Sequence, residues 1–325
     1  MRSSDKDAYF IRGKAKYLLQ DYQGVIEDFS KLIELDPQDK DAYFIRGYAK
    51  DELEDYQGAI EDFSKLIELD PQFQEAYFNR SKAKYLLQDY QGAIEDSSKA
   101  IELDPQYKDA YFVRGNAKDL LQDYQGAIED SSKVIEIDPL DKDSYFVRGN
   151  AKDELENYQG AIEDFSKVIE LDPHYKNAYF VRGNAKYLLQ DYQGAIEDFS
   201  KAIELDPQFQ EAYFNRSKAK YELEDYQGAI EDFSKLIELD PQYKDAYFIR
   251  GYAKDELEDY QGAIEDFSKV IELDPQYKDA YLYRGKAKYK VQDYQGAIED
   301  FSKAIEIDPN YKNAYFHKGN AKYYT

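Results

Sequence analysis

KNAYFVRGNAKYLLQDYQGAIEDFSKAIELDPQF, Lys176 to Phe209, recurs along the chain at a fixed spacing of 34 residues. All nine prolines fall in that register, at Pro37, Pro71, Pro105, Pro139, Pro173, Pro207, Pro241, Pro275 and Pro309. Within the quoted unit Ala178, Tyr179, Arg182, Gly183, Ala185, Lys186 and Leu189 fall at three- and four-residue steps, along one packing side of a first helix. The chain then turns at Gln190 and Asp191. Asp191 can cap a second helix, as can its replacement in the fifth copy, Asn157. Ala195, Ile196, Phe199, Ala202 and Ile203 make the apolar stripe of that helix, and Pro207 marks the break before the next unit. One such hairpin cannot bury both of its apolar faces, so stacked copies must bury each other's.

Outward from this unit, full repeats cover residues 6–39, 40–73, 74–107, 108–141, 142–175, 176–209, 210–243, 244–277 and 278–311, with a final helix over 312–325. A solenoid has no internal domain boundary, so the period predicts one array over residues 1–325. The copies are nearly identical, and FQEAYFNRSKAKY appears at Phe73 and again at Phe209. With no Cys and only two His, His174 and His317, thiol chemistry is excluded and no cofactor or metal site is expected. The start, MRSSDKDAYF, lacks the apolar core of a secretory signal, and no run of about 18 apolar residues occurs. No membrane span is expected, and a cytoplasmic location follows by default. Against 43 Lys plus Arg stand 67 Asp plus Glu, a net charge of -24, which repels nucleic acid and anionic membrane. The partners expected are proteins or peptides, basic or extended.

The unit resembles a tetratricopeptide repeat, and the resemblance covers essentially the whole chain. Tyr179, Gly183, Ala195, Phe199, Ala202 and Pro207 match the family pattern, whereas Arg182 stands where the family usually has Leu and Lys186 where it usually has Tyr. The resemblance implies an all-α fold, an α-solenoid of antiparallel helix pairs stacked into a right-handed superhelix. It also implies that first helices line a concave groove holding peptides or helices. The related pentatricopeptide repeats bind RNA, which the net charge argues against.

No enzyme signature is present and no catalytic residue is assigned. Carboxylate pairs such as Glu197 and Asp198 recur in every unit and read as a solvated face. The Gly13 column reads as close helix packing. The arginine column (Arg12, Arg46 and onward to Arg284) has two readings: buried stems whose guanidinium groups pair with second-helix carboxylates such as Asp198, or a cationic ladder for anionic ligands.

By the family analogy the groove carries the columns of Phe10, Ile11, Lys14, Tyr17 and Leu18. The Phe10 column, Phe in every unit except Leu282, is either an open apolar strip or packing between neighbouring first helices. The Lys14 column varies and includes three consecutive asparagines, Asn116, Asn150 and Asn184, like the asparagine ladders with which some family members hold a peptide backbone. These, with Phe112, Phe146, Phe180, Asn79, Asn215, Tyr48 and Tyr252, are the groove candidates for a ligand. A clamp for acidic C-termini would need Lys in the Phe10 column and is excluded. Asp51, Glu52 and Glu54, repeated as Asp153, Glu154 and Glu156 and as Asp255, Glu256 and Glu258, form acidic bands that could suit a basic peptide or a loosely held cation.

Ser97 and Ser131 replace the second-helix Phe, so the array should be softest between Ala93 and Asp138. The chain ends retain the internal pattern, which raises an alternative function: end-to-end assembly of a homo-oligomer through Tyr9, Ala15, Leu19, Tyr315, Ala321 and Tyr324.

Overall fold

The computed structural model describes residues 2–324, so Met1 and Thr325, the outermost residues of the expected array, lie outside the described residues. Two compact units are formed, Met1–Leu171 and Asp172–Thr325. In the first, first-type helices α1 (Arg2–Leu18), α3 (Lys40–Glu52), α5 (Gln74–Leu86), α7 (Lys108–Leu120) and α9 (Lys142–Glu154) alternate with second-type helices α2 (Tyr22–Leu35), α4 (Tyr56–Leu69), α6 (Tyr90–Leu103), α8 (Tyr124–Ile137) and α10 (Tyr158–Leu171). The second unit repeats the pattern with α11 (Lys176–Leu188), α13 (Gln210–Glu222), α15 (Lys244–Glu256), α17 (Lys278–Lys290) and α19 (Lys312–Tyr323), between which stand α12 (Tyr192–Leu205), α14 (Tyr226–Leu239), α16 (Tyr260–Leu273) and α18 (Tyr294–Ile307). Each unit is an all-α stack of helix hairpins, a solenoid in which every helix packs on its sequence neighbours.

Local chemistry sets the helix boundaries. The Asp191 carboxylate accepts the Gly194 N–H at 3.0 Å, and Asn157 does the same for Gly160 at 3.2 Å. At the other end of each first helix the chain reverses through a left-handed residue. Gln190 has φ 63°, and the Asp191 N–H returns to the Lys186 carbonyl at 2.9 Å. The equivalent positions in all nine hairpins are Gln or Glu, never Gly. A side chain at positive φ carries a steric cost that glycine lacks, so Gln190→Gly is expected to stabilise the protein by about 0.5–1 kcal/mol. Chemical denaturation reads this directly, and a neutral or lower midpoint would count against it.

The core lies between the two helix types. Ala178, Ala185, Ala195, Ala202 and Phe199 are fully buried. A Cβ on Gly183 would fall 2.7 Å from the Phe199 ring, which is the close packing expected of the glycine column. Leu189 does not belong to this packing side: it lies just past the end of α11 and is 46% exposed. The chain has already begun to turn there, which carries the side chain off the helix face.

The solvated-face reading of Glu197 and Asp198 holds for Glu197 alone, because Asp198 is only 4% exposed. Arg182 donates to its two oxygens from Nε at 2.9 Å and Nη2 at 2.6 Å, and Lys186 Nζ adds a contact at 2.8 Å. The arginine column is therefore structural, each guanidinium pairing with its second-helix carboxylate and lying over the Tyr179-type ring, as Arg182 does at 5.7 Å. A cationic ladder for anionic ligands is not what these groups form. The two departures from the family pattern, Arg182 and Lys186, are halves of one device, since both serve the same carboxylate. In the first hairpin Arg12, then Lys16, hold the Asp28 carboxyl below the usual carboxylate range. The layers are also cross-tied, as where Arg216 Nη1 reaches Ser200 Oγ of the preceding repeat at 3.0 Å.

Candidate functional site

The exposed residues of the first helices form the candidate site, and each helix offers the same columns. The Phe10 column is half-buried. Phe44 meets the second-helix ring of its own repeat, Phe63, at 6.3 Å and Phe73 at the start of the next first helix at 5.3 Å. Phe180 is placed alike, 5.9 Å from Phe199 and 4.8 Å from Phe209. Phe146 meets Phe165 at 5.8 Å, while Phe112 has only Ser131 at the position of that ring. Both readings of the strip thus hold in part: one edge of each ring packs and the other stays accessible. Phe316 on α19 is exposed, and Leu282 is buried.

The amides are more committed than a backbone-gripping ladder would be. Asn116 donates to the Phe112 carbonyl at 2.8 Å and Asn79 to the Glu75 carbonyl at 2.7 Å, both on their own helices. Asn215 donates to Asn184 Oδ1 at 2.8 Å, so these two candidates meet each other. Asn150 is half-buried on α9.

A pairing not visible in the period explains the variable column. Residues 31 apart, three short of the repeat, face one another across neighbouring first helices. Tyr17 meets Tyr48 at 5.7 Å between ring centroids, Lys82 Nζ lies 2.8 Å from Asp51, and Lys218 Nζ sits 5.1 Å from the Tyr187 ring. The acidic band at Asp51 is therefore partly neutralised from the next repeat, and the buried Asp51 is not open to a basic ligand or cation. Covariation between positions 31 apart within the single chain was the signal that could have revealed this.

Where the facing residue is Asn, as Asn150 is for Asp119, no cation offsets the burial of the carboxylate. Asp119 Oδ1 is buried without a hydrogen-bond partner, and burial, then Glu154, pushes its carboxyl above the usual range. An acid whose folded pKa is raised loses stability as pH climbs from its unfolded value near 3.9 through the folded one, so the penalty grows as pH rises. Asp119→Asn is expected to stabilise the protein at pH 7 by a few tenths to about 1 kcal/mol, with the difference vanishing below about pH 4. Denaturation of both proteins across that range checks the sign, and a gain independent of pH would refute the cause given.

In each unit a cavity opens on the first-helix face. The first, of about 390 Å³, lies between α1, α3 and α5 and is mostly apolar. Lys14, Tyr17 and Leu18 form one wall, Phe44, Ile45 and Tyr48 another, with Asn79 at its edge. The second, of about 350 Å³, is lined by Phe180, Phe214, Asn215 and Tyr243 with Gln210, Glu211 and Asp240, and is more polar. Tyr48 thus lies in the first cavity, whereas Tyr252 is packed among Phe248, Phe267 and Tyr283.

Of the residues considered for end-to-end contact, Ala15, Leu19, Tyr315 and Tyr324 are exposed and Tyr9 is half-buried. Ala321 is fully buried, packed in the last core cluster, and has no surface to offer an interface. Among the described residues, no group of three or more His, Asp or Glu side chains is arranged to hold a metal ion, and no helix is long and apolar enough to cross a membrane.

Family models described as tetratricopeptide repeat match residues 143–175, 177–209 and 279–311, residues 12–72, 46–108 and 214–277, and residues 108–139. No curated protein matches the chain. Among solved structures, the chain is similar to YrrB, described as a TPR protein with an unusual peptide-binding site. The two share 25% identity and a TM-score of 0.54 over 59% of this chain and 100% of that one. A MamA crystal structure shares 28% identity and a TM-score of 0.50 over 53% of this chain and 95% of that one. The C-terminal part of a TPR repeat-containing protein from Cytophaga hutchinsonii, 20% identical, matches with a TM-score of 0.66 over 74% of this chain and 98% of that one, a likeness of fold.

Proposed function

The chain belongs to the tetratricopeptide repeat family, and from that premise we propose that it is a non-enzymatic scaffold, one array whose first-helix face binds a peptide or an extended segment of a partner protein. The observation that carries the reading is the mostly apolar cavity at Tyr48, opening on the same face as the half-buried Phe row. Apolar walls with a few placed polar groups are what a peptide side chain needs. YrrB, described by its peptide-binding site, lends support. The net charge of -24 favours basic or neutral segments over densely acidic ones.

The experiment is a peptide-library selection on the immobilised full chain, followed by amide-exchange mapping of the peptides retained. Protection on first-helix residues around Phe44 and Tyr48 is expected. Peptides that protect only second helices, or no peptides at all, would overturn the reading.

Assembly end to end is the alternative, motivated by Leu19, 79% exposed, and Tyr315, 53% exposed. Stacking α19 on α1 would set one first-type helix on another and break the alternation that both units keep. Light scattering over a range of concentrations separates the two: a constant monomer mass supports the scaffold, and a mass that climbs with concentration supports assembly.

A further inference from the structure

The cavity between α1, α3 and α5 has a counterpart in the second unit that is already occupied. Phe44, Ile45 and Tyr48 of α3 recur six repeats later as Phe248, Ile249 and Tyr252 of α15, and Lys14 and Tyr17 recur as Lys218 and Tyr221. The two sites differ in one wall, where Leu18 is replaced by Glu222, and at the edge, where Asn79 is replaced by Tyr283. The Tyr283 ring lies 4.2 Å from Tyr252, 6.0 Å from Phe248 and 6.1 Å from the second-helix ring of Phe267. Tyr252 turns inward to meet it, whereas Tyr48 turns the other way, onto Tyr17 at 5.7 Å. Asn79, shorter and bonded back to its own helix, leaves open the space that Tyr283 fills.

We propose that this cavity takes a tyrosine side chain from the partner segment, seated as Tyr283 is seated in the second unit. The inference rests on the peptide-binding reading and names what the site selects. Phe44 and Tyr48 supply the ring contacts that Phe248 and Tyr252 give Tyr283. Lys14 is the charged group in the wall, with its Nζ 4.4 Å from the Phe10 ring. A carboxylate beside the tyrosine complements it, within a segment that is otherwise neutral or basic.

The test titrates the full chain with acetyl-Gly-Tyr-Asp-Gly-amide, and with the same peptide carrying Ala for Tyr, following amide shifts and stoichiometry. Asn79→Tyr installs the residue found in the other unit and is expected to weaken binding roughly tenfold or more. Tyr283→Asn opens the second site, and a second equivalent of peptide should then bind. Asn79→Tyr folds with the helix content of the parent, because α17 already accommodates that residue at that position. Undiminished binding by Asn79→Tyr, no gain in Tyr283→Asn, or equal affinity for the Ala peptide would overturn the inference. If library-selected peptides still protect first-helix residues while ignoring both substitutions, this inference falls and the broader reading stands. If no peptide protects that face, both fall.

Discussion

Asp232→Ala should destabilise the protein by about 3–5 kcal/mol, because it strands two cations in a desolvated layer. The Asp232 carboxylate, 4% exposed, receives Arg216 Nε at 2.8 Å and Nη2 at 2.5 Å, and lies 2.9 Å from Lys220 Nζ. Neither cation can turn to solvent freely: Lys220 is also held on the Gly228 carbonyl at 3.3 Å and Arg216 on Ser200. In a stack whose stability sums over neighbouring hairpins, the damage should be local. Amide exchange is expected to accelerate in α13 and α14, and the urea transition to lose cooperativity, with the outer hairpins protected nearly as before. Replacing Arg216, Lys220 and Asp232 together by apolar residues of matching size should cost much less than removing Asp232 alone. A loss below about 1 kcal/mol for the single substitution would mean that the layer is wetter than its burial indicates.

The second large effect runs the other way. In seven of the nine hairpins a second-helix Phe fills the layer, but in the fourth Ser131 stands opposite Gly115, whose nearest neighbours around a would-be Cβ are Asp130 at 3.2 Å and Ser131 Oγ at 3.6 Å. No ring reaches the glycine there. In the third hairpin the deficit is met differently, by Ser81 in place of the glycine, with Ser81 and Ser97 hydroxyls hydrogen-bonded at 2.6 Å. Ser131→Phe is therefore expected to stabilise the protein by about 2–3 kcal/mol, within the range lost on deleting a buried ring. Ser97→Phe should gain less, because it gives up that hydrogen bond, although Ser217 opposite Phe233 proves that a serine and a ring can share a layer. Denaturation of both variants, with exchange rates across α7 and α8, decides the order. Equal gains would mean that the serine pair contributes nothing.

The hairpin was legible because its signals are local and repeated: caps at Asp191, a turn at Gln190 and Asp191, and apolar residues at helical steps; the left-handed backbone at Gln190 was not, since no glycine marks it. Burial of charge was not. Asp198 and Glu197 are adjacent acids on one helix, and only the position of the neighbouring first helix makes one of them core. Arg182 was legible as its partner through its place among packing residues, whereas Lys186 on the same carboxylate was not. At the candidate site the columns were legible but their accessibility was not. Phe44 and Phe180 keep one free edge because the next first helix covers the other, and Asn116 spends its donor on its own backbone; both depend on rotamers and on the neighbouring repeat. Leu189 was misplaced for a simpler reason, since a helical period continues on paper past the residue where the helix stops.

The spacing of 31 between facing residues also decides where such a gene can be cut and rejoined. A joint placed at a proline delivers whole hairpins but parts Asp51 from Lys82 and Tyr17 from Tyr48. A joint placed inside a first helix, after the Lys82 position and before the Tyr85 position, keeps Tyr17 with Tyr48, Asp51 with Lys82 and Tyr187 with Lys218, and parts only the amide couple of Asn184 and Asn215 among the couples described. The cassette that can be copied, shuffled or spliced with its ring and ion couples intact is thus offset from the hairpin, and runs from near the end of one first helix to the same point in the next.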